Sequence, residues 1–218
     1  MRPRRRKVSD DEICEAAQRA MQERGPHDLT LADIAAEAGV TPGLLVQRFG
    51  SKRELLLALS ERFARSAPAL FAELKAAHPK PLAALRGYAA CMADLASTPD
   101  ALSRNLAYLQ IDLTDQAFRA HLLANARATR REMEALLRAA IAAGELRKDV
   151  NPRRLARTIE AVVSGSLMTW ACYREGSAVA WIRREVDAVL EPHMVPGRGS
   201  KDFKPGRRAA RARPNARG

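Results

Sequence analysis

Cysteine, histidine and aromatic residues are scarce in this chain, and each scarcity removes a class of protein. The three cysteines, Cys14, Cys91 and Cys172, are odd in number and far apart, with no C-x-x-C pair and no histidine at ligand spacing. That excludes a disulfide framework or a zinc site and fits a reducing cytoplasm. His27, His78, His121 and His193 stand without a partner at catalytic spacing, and neither a glycine-rich phosphate loop nor a nucleophile elbow is present. Acid pairs such as Asp10-Asp11 and Glu132/Glu134 read as helix-start charge and a solvated face. The expectation is therefore no enzyme, no metal and no cofactor. Long apolar runs are missing too: residues 161–173 fall short of the roughly 20 that cross a bilayer. The basic opening "MRPRRRK" is followed by acidic "SDDE" where a secretory signal needs an apolar stretch. A soluble, cytoplasmic protein without membrane association is expected.

Aromatic residues make up 5% of the chain and no segment alternates at period two, whereas Ala, Leu and Arg abound. This mixture favours helix, so the fold class is all-α. The net charge of +12 lies at the ends: Arg2, Arg4, Arg5, Arg6 and Lys7 supply five, and residues 197–218 a net seven. Residues 9–196 are formally neutral. A folded body without net charge is no general polyanion binder, and any specific contact must come from a local patch. The basic ends add salt-sensitive phosphate affinity. They are the only argument for the alternative reading, a sequence-independent DNA-coating protein.

Helix punctuation is regular from Ser9 onward. Ser9/Glu12, Thr30/Asp33 and Ser51/Glu54 have capping-box spacing, and Thr41-Pro42, Thr98-Pro99 and Asn151-Pro152 place proline at a first helical position. Apolar residues recur at helical period between these marks. Ile13, Ala17, Ala20 and Met21 stripe a first helix that "RGPHD" ends. A long helix is expected from Ser51 to "HPKP", with Leu56, Leu59, Phe63, Leu70 and Leu74 on one side. Others follow at about 81–97, 100–111, 115–143, 152–174 and 178–191, about nine helices in all. The organisation read from this is a basic disordered arm (1–8), a helix-turn-helix domain (9–56), a larger helical domain (57–195) and a basic disordered tail (196–218).

Within residues 30–52, Ala35, Gly39 and Leu45 fall where two tightly crossed helices need a small residue, a sharp turn and an apolar wedge, with Ile34 and Val40 filling the space between them. Leu45 and Phe49, four apart, share the inward face. The opposite side then belongs to Gly43, Gln47 and obliquely Leu44, with Val46 and Arg48 on the flanks. It is nearly uncharged. An amide bridges adenine N6 and N7 and a leucine packs on a thymine methyl, so such a face suits base reading. An αα-hairpin inside a core would use the same Ala and Gly for the same steric reasons.

The segments "ICEAAQRAMQERG", "LTLADIAAEAGV", "TPGLLVQRF" and "GSKRELL", with about 140 helical residues behind them, resemble the TetR/AcrR family of bacterial transcriptional repressors. The resemblance implies a homodimer with two recognition helices in successive major grooves of a palindromic double-stranded operator. By position it implies phosphate contacts from Thr30, Thr41 and Lys52, a helix start at Pro42 and close backbone approach at Gly43. Leu44 and Val46 depart from the Thr and Tyr that family members often carry, which shifts the expected phosphate work to Lys52, Arg48 and the arm.

Behind this domain, Leu155, Ile159, Val162, Ser166, Trp170 and Tyr173 stripe one helix and Val179, Ile182, Val186 and Leu190 another. Both stripes are too apolar for solvent and are candidates for a four-helix dimer interface, as the resemblance also implies. A small-molecule effector, expected to be mainly apolar, would then bind among residues 81–143. The candidate lining is Tyr88, Cys91, Met92, Asn105, Tyr108, Gln110 and Trp170.

Overall fold

In a computed structural model, residues 8–96 and 98–196 are described, and they form a fold built on helices. The order is α1 (Asp10–Glu23), α2 (Leu31–Ala38), α3 (Pro42–Phe49), α4 (Lys52–Ala64), α5 (Ala67–Ala77), α6 (Pro81–Leu95), α7 (Pro99–Thr114), α8 (Gln116–Ala142), α9 (Pro152–Tyr173) and α10 (Ala178–Leu190), then a 3₁₀ turn at Glu191–His193. Residues 1–7 of the expected arm (1–8) and residues 197–218 of the expected tail (196–218) lie outside the described residues.

The local rules operate as the sequence suggests. Ser9 and Thr30 form complete capping boxes with Glu12 and Asp33, and Thr41, Ser51, Thr98 and Asn151 each accept a backbone N–H from the first turn that follows. Two expectations fail: the Glu54 carboxylate accepts from Arg53 instead of completing a capping box at Ser51, and one expected helix is broken. The long helix from Ser51 is two helices, so the described residues hold ten α-helices where about nine were expected. The cause is Pro68, whose missing N–H and bulky ring cannot follow Ala64 in one continuous helix. Ser66 Oγ instead donates to the Phe63 carbonyl at the break, and Phe63 turns outward at 50% exposure instead of lying on an apolar stripe.

Two apolar clusters organise the chain. One joins Ile13, Ala17, Leu29, Ile34, Ala35, Leu45, Leu55 and Leu56 and also takes in Phe118 from α8. The other gathers Phe71, Leu85, Met133, Leu137, Leu146, Ile159, Ile182 and their neighbours from α5, α6, α8, α9 and α10. The first core is thus completed from beyond position 56, by Leu57, Leu59, Tyr108 and Ile111 at its margin and Phe118 within it.

Candidate nucleic-acid interface

Helices α2 and α3 cross on a small-residue contact. Ile34, Ala35 and Leu45 are buried, while Val40 and Phe49 pack half-buried against them. Gly39 makes the turn in the left-handed region at φ 66°, a conformation that costs other L-residues about 1–2 kcal/mol. There the Val40 N–H donates to the Ala35 carbonyl at 2.9 Å. Thr41 then caps α3, accepting the Leu44 N–H at 3.3 Å, and Pro42 sits in the first turn. A hydroxyl that accepts in this way keeps its own proton to donate outward.

The outer side of α3 presents Gly43, Val46 and Gln47 to solvent, with Val46 48% exposed. Nothing lies within 4 Å of where a Gly43 Cβ would sit, so the backbone can come close to a neighbouring surface there. Leu44 is half-buried, leaving Gln47 as the polar group that projects from this face.

The charged residues of the motif are turned toward the protein, a placement that the sequence reading missed. Lys52 Nζ donates to the Pro26 and Leu29 carbonyls at 2.9 and 2.6 Å, tying the loop before α2 to the start of α4. One of its three N–H donors remains for an outside acceptor. Arg48 Nη1 donates to the Val8 carbonyl at 2.6 Å and lies 3.1 Å from Asp10 Oδ1. The Thr30 hydroxyl donates to Asp33 Oδ2 at 2.6 Å, so its proton is committed. That hydrogen bond is the main reason the Asp33 carboxyl is held below its ordinary range.

The helices behind grip this unit at several points. Arg104 Nε donates to the Gln22 carbonyl and Tyr108 Oη to that of Arg24, both at the end of α1. Arg53 of α4 pairs with Asp115 at the start of α8 and lies over the Phe118 ring. Asn125 Nδ2 donates to the Phe63 carbonyl at 2.8 Å.

The expected effector lining is not gathered into one cavity. Tyr88 stacks on Phe71 in the second core with ring centroids 5.0 Å apart, and burial pushes its hydroxyl up to about 12. Trp170 is buried and donates to the Gly176 carbonyl. Cys91 and Met92 pack half-buried beside that core. Tyr108 faces α1 instead, and Asn105 and Gln110 are exposed. Two open surface depressions lie elsewhere, one of about 250 Å³ beside His78 and Leu136 and one of about 460 Å³ between α6 and α10. Neither includes any of the seven residues.

The expected dimer stripes pack largely within the single chain. Leu155, Ile159, Ser166, Trp170, Ile182, Val186 and Leu190 are buried within the single chain and Val162 is half-buried. The most apolar stripe of each helix satisfies the protomer's own core first. The open side of α9 carries Ala161, Gly165, Met168 and Cys172, with Met168 48% exposed and free space around Gly165. Among the described residues, no helix is long and apolar enough to cross a membrane.

Comparison with known proteins is consistent with this geometry. A family described as "Bacterial regulatory proteins, tetR family" matches residues 13–59, and "Tetracyclin repressor-like, C-terminal domain" matches residues 105–186. The HTH-type transcriptional regulator BetI of Brucella anthropi is 43% identical over 65 residues, which are 30% of this chain and 31% of that protein. The chain therefore matches less than a third of the length of that curated relative. SmeT of Stenotrophomonas maltophilia, the repressor of the multidrug efflux pump SmeDEF, superposes with a TM-score of 0.61 at 26% identity, over 88% of this chain and 93% of its own. A SmeT complex with triclosan superposes with a TM-score of 0.60 at 25% identity, over 88% of this chain and 94% of its own. A TetR transcription regulator from Haloarcula marismortui shares the fold, with a TM-score of 0.68 at 19% identity, over 85% of this chain and 98% of its own.

Proposed function

Because this chain belongs to the TetR family, whose two domain descriptions together match more than half of it, and is thus a DNA-binding transcriptional regulator rather than an enzyme, we propose that it is a homodimeric repressor of a palindromic operator, released by a small, mainly apolar effector. The observation that carries this reading is the outer face of α3: exposed, uncharged, open at Gly43 and offering the Gln47 amide. A solvated helix face more often carries charge, whereas short side chains, an amide and an apolar contact suit a helix entering the major groove.

In this reading Gln47 reads a base and Val46 makes apolar contact in the groove. Thr41 donates its free hydroxyl proton to a phosphate, and Lys52 gives its remaining donor to another. Two copies meet through the open faces of α9 and α10, setting the recognition helices about one DNA turn apart. The complex of SmeT, similar to this chain at 25% identity, with the small molecule triclosan supports a small-molecule effector. Release then follows from differential affinity: the ligand favours a spacing of the two reading heads that no longer fits adjacent grooves. A cytoplasmic location follows from operator binding.

Selection of bound duplexes from random DNA tests the proposal. A palindrome with two half-sites about one turn apart is the expected result. Bound sequences without a shared consensus, recovered with a dimeric protein, would overturn it in favour of DNA coating. A reporter placed behind the selected operator distinguishes a repressor from an activator.

A further inference from the structure

The depression of about 460 Å³ between α6 and α10 is lined by the apolar side chains of Ala90 and Val179 and by three arginines, Arg86, Arg183 and Arg184, with a single carboxylate, that of Asp187. Residues 9–196 carry no net formal charge, so an excess of positive charge in so small a space is a local feature of this surface. One carboxylate cannot neutralise three guanidiniums. Asp187 Oδ1 accepts from Arg86 Nε at 2.5 Å, and Oδ2 lies 3.7 Å from Arg183 Nε, too far for a hydrogen bond. Arg86 is held there at 17% exposure, and a guanidinium that donates through Nε keeps four N–H donors on its two Nη atoms. Arg184, which is exposed, is fixed by Glu185, accepting from its Nε at 3.0 Å, and by the Trp181 ring, whose centroid is 4.3 Å away. Glu185 is not part of the lining and offsets Arg184, which leaves Arg86 and Arg183 sharing Asp187.

We propose that this depression is a binding site for a small organic carboxylate with an apolar body, its carboxylate received by Arg86 and Arg183 and its body laid on Ala90 and Val179. The site needs neither DNA nor a second copy of the chain, and so goes beyond the operator reading and its effector.

Three physical points support the assignment. The volume falls within the roughly 300–1,000 Å³ of small-molecule sites, whose walls are mainly apolar with a few convergent polar groups. The planar fork of a guanidinium matches a carboxylate through two parallel N–H donors, and two guanidiniums that face the same carboxylate stand close enough for an incoming one to touch both. Like charges held together repel, and an added anion relieves that repulsion, while the apolar wall favours a ligand in proportion to the hydrocarbon it covers. An anion without a hydrocarbon body gains only the first of these, and a neutral alcohol only the second.

The test is calorimetric titration of the full chain with octanoate, octanol and acetate. Octanoate should bind at one site per chain, and octanol and acetate each about tenfold more weakly or less. Arg183 is the residue to change, because its side chain is 43% exposed whereas that of Arg86 belongs to the fold. Arg183→Gln should weaken octanoate binding about tenfold, while Arg65→Gln, at the end of α4, should leave it unchanged. Asp187→Asn removes the competing carboxylate and should tighten octanoate binding several-fold even as it lowers the melting temperature, so that octanoate raises the melting temperature of this variant more than that of the wild type. A merely structural ion pair predicts the opposite sign. Octanol binding as tightly as octanoate would overturn the inference, as would an R183Q chain of unchanged affinity, an R65Q chain weakened equally, or a D187N chain that binds no more tightly. A full chain that takes up no octanoate would overturn it as well, and would leave the operator reading untouched.

Discussion

Arg53 and Asp115 meet across the seam between the DNA-reading helices and the helices behind them. Asp115 Oδ2 accepts from Arg53 Nη2 at 2.7 Å and from Nε at 3.2 Å, while Oδ1 accepts the Ala117 N–H at 2.9 Å and so caps α8. One carboxylate starts α8 and holds α4 to it. The hydrogen bond from Arg53 is the main reason the Asp115 carboxyl lies below its ordinary range.

A carboxyl whose folded pKa is depressed contributes stability that is fully present above its ordinary range and is lost as pH falls through that range and below. Asp115→Ala should therefore lower the melting temperature more than Arg53→Ala, because it removes the cap as well as the bridge. Both variants should make the acid-side loss of stability shallower. Thermal melts of the three proteins between neutral and acid pH decide this, and identical acid profiles would show that the pair contributes nothing.

Asp112 behaves in the opposite sense. It lies half-buried on α7, and burial pushes its carboxyl up to about 6. The folded state then holds a proton that the unfolded chain releases, so the stability this group contributes is present at acid pH and lost as pH rises through about 6. Asp112→Asn should stabilise the protein at pH 7 by on the order of 1 kcal/mol once solvent contact is discounted. It should also remove the decline between about pH 4 and 6. An unchanged melting temperature at pH 7 would refute the assigned cost.

Gln47 is the exposed amide of the α3 face. Replacing it with Ala should relax preference at one base pair per half-site, a discrimination of about 1–3 kcal/mol, and leave other positions unchanged. Binding to a panel of single-substitution operators measures this. A uniform loss across the panel would identify a backbone contact instead.

Gly165 has open space where a side chain would go, so the single chain tolerates a larger residue there. Gly165→Leu should leave the helix intact, and even favour it by up to about 1 kcal/mol in propensity, while blocking close approach of a second α9. Sedimentation should show a shift from dimer to monomer without loss of helical content. A dimer of undiminished stability would move the interface elsewhere.

What could be read from the chain alone follows the range of the interactions. The capping boxes at Ser9 and Thr30, the turn at Gly39 and the inward pair Leu45 and Phe49 depend on residues three to five positions apart, and each is found in the structure. The break at Pro68 was equally local and is written in the sequence, but the apolar stripe that continued past it concealed the stop. Arg48 and Lys52 were not legible, because their partners at Val8, Pro26 and Leu29 lie 23 to 40 positions away and a flexible cationic stem shows no periodicity. The stripes on α9 and α10 announced burial clearly, but periodicity alone does not say whether the burying surface belongs to the same chain or to another.

Phe118 gives the molecule a limited modularity. It starts in the helix that follows the seam, yet its ring belongs to the apolar core of the reading head. A hybrid regulator made by joining this head to a different sensor would inherit a hole of aromatic size unless the new sensor supplied a matching ring. The DNA-reading head and the helices behind it therefore cannot be exchanged here as independent cassettes: the junction around α7 and the first turn of α8 has to travel with the head.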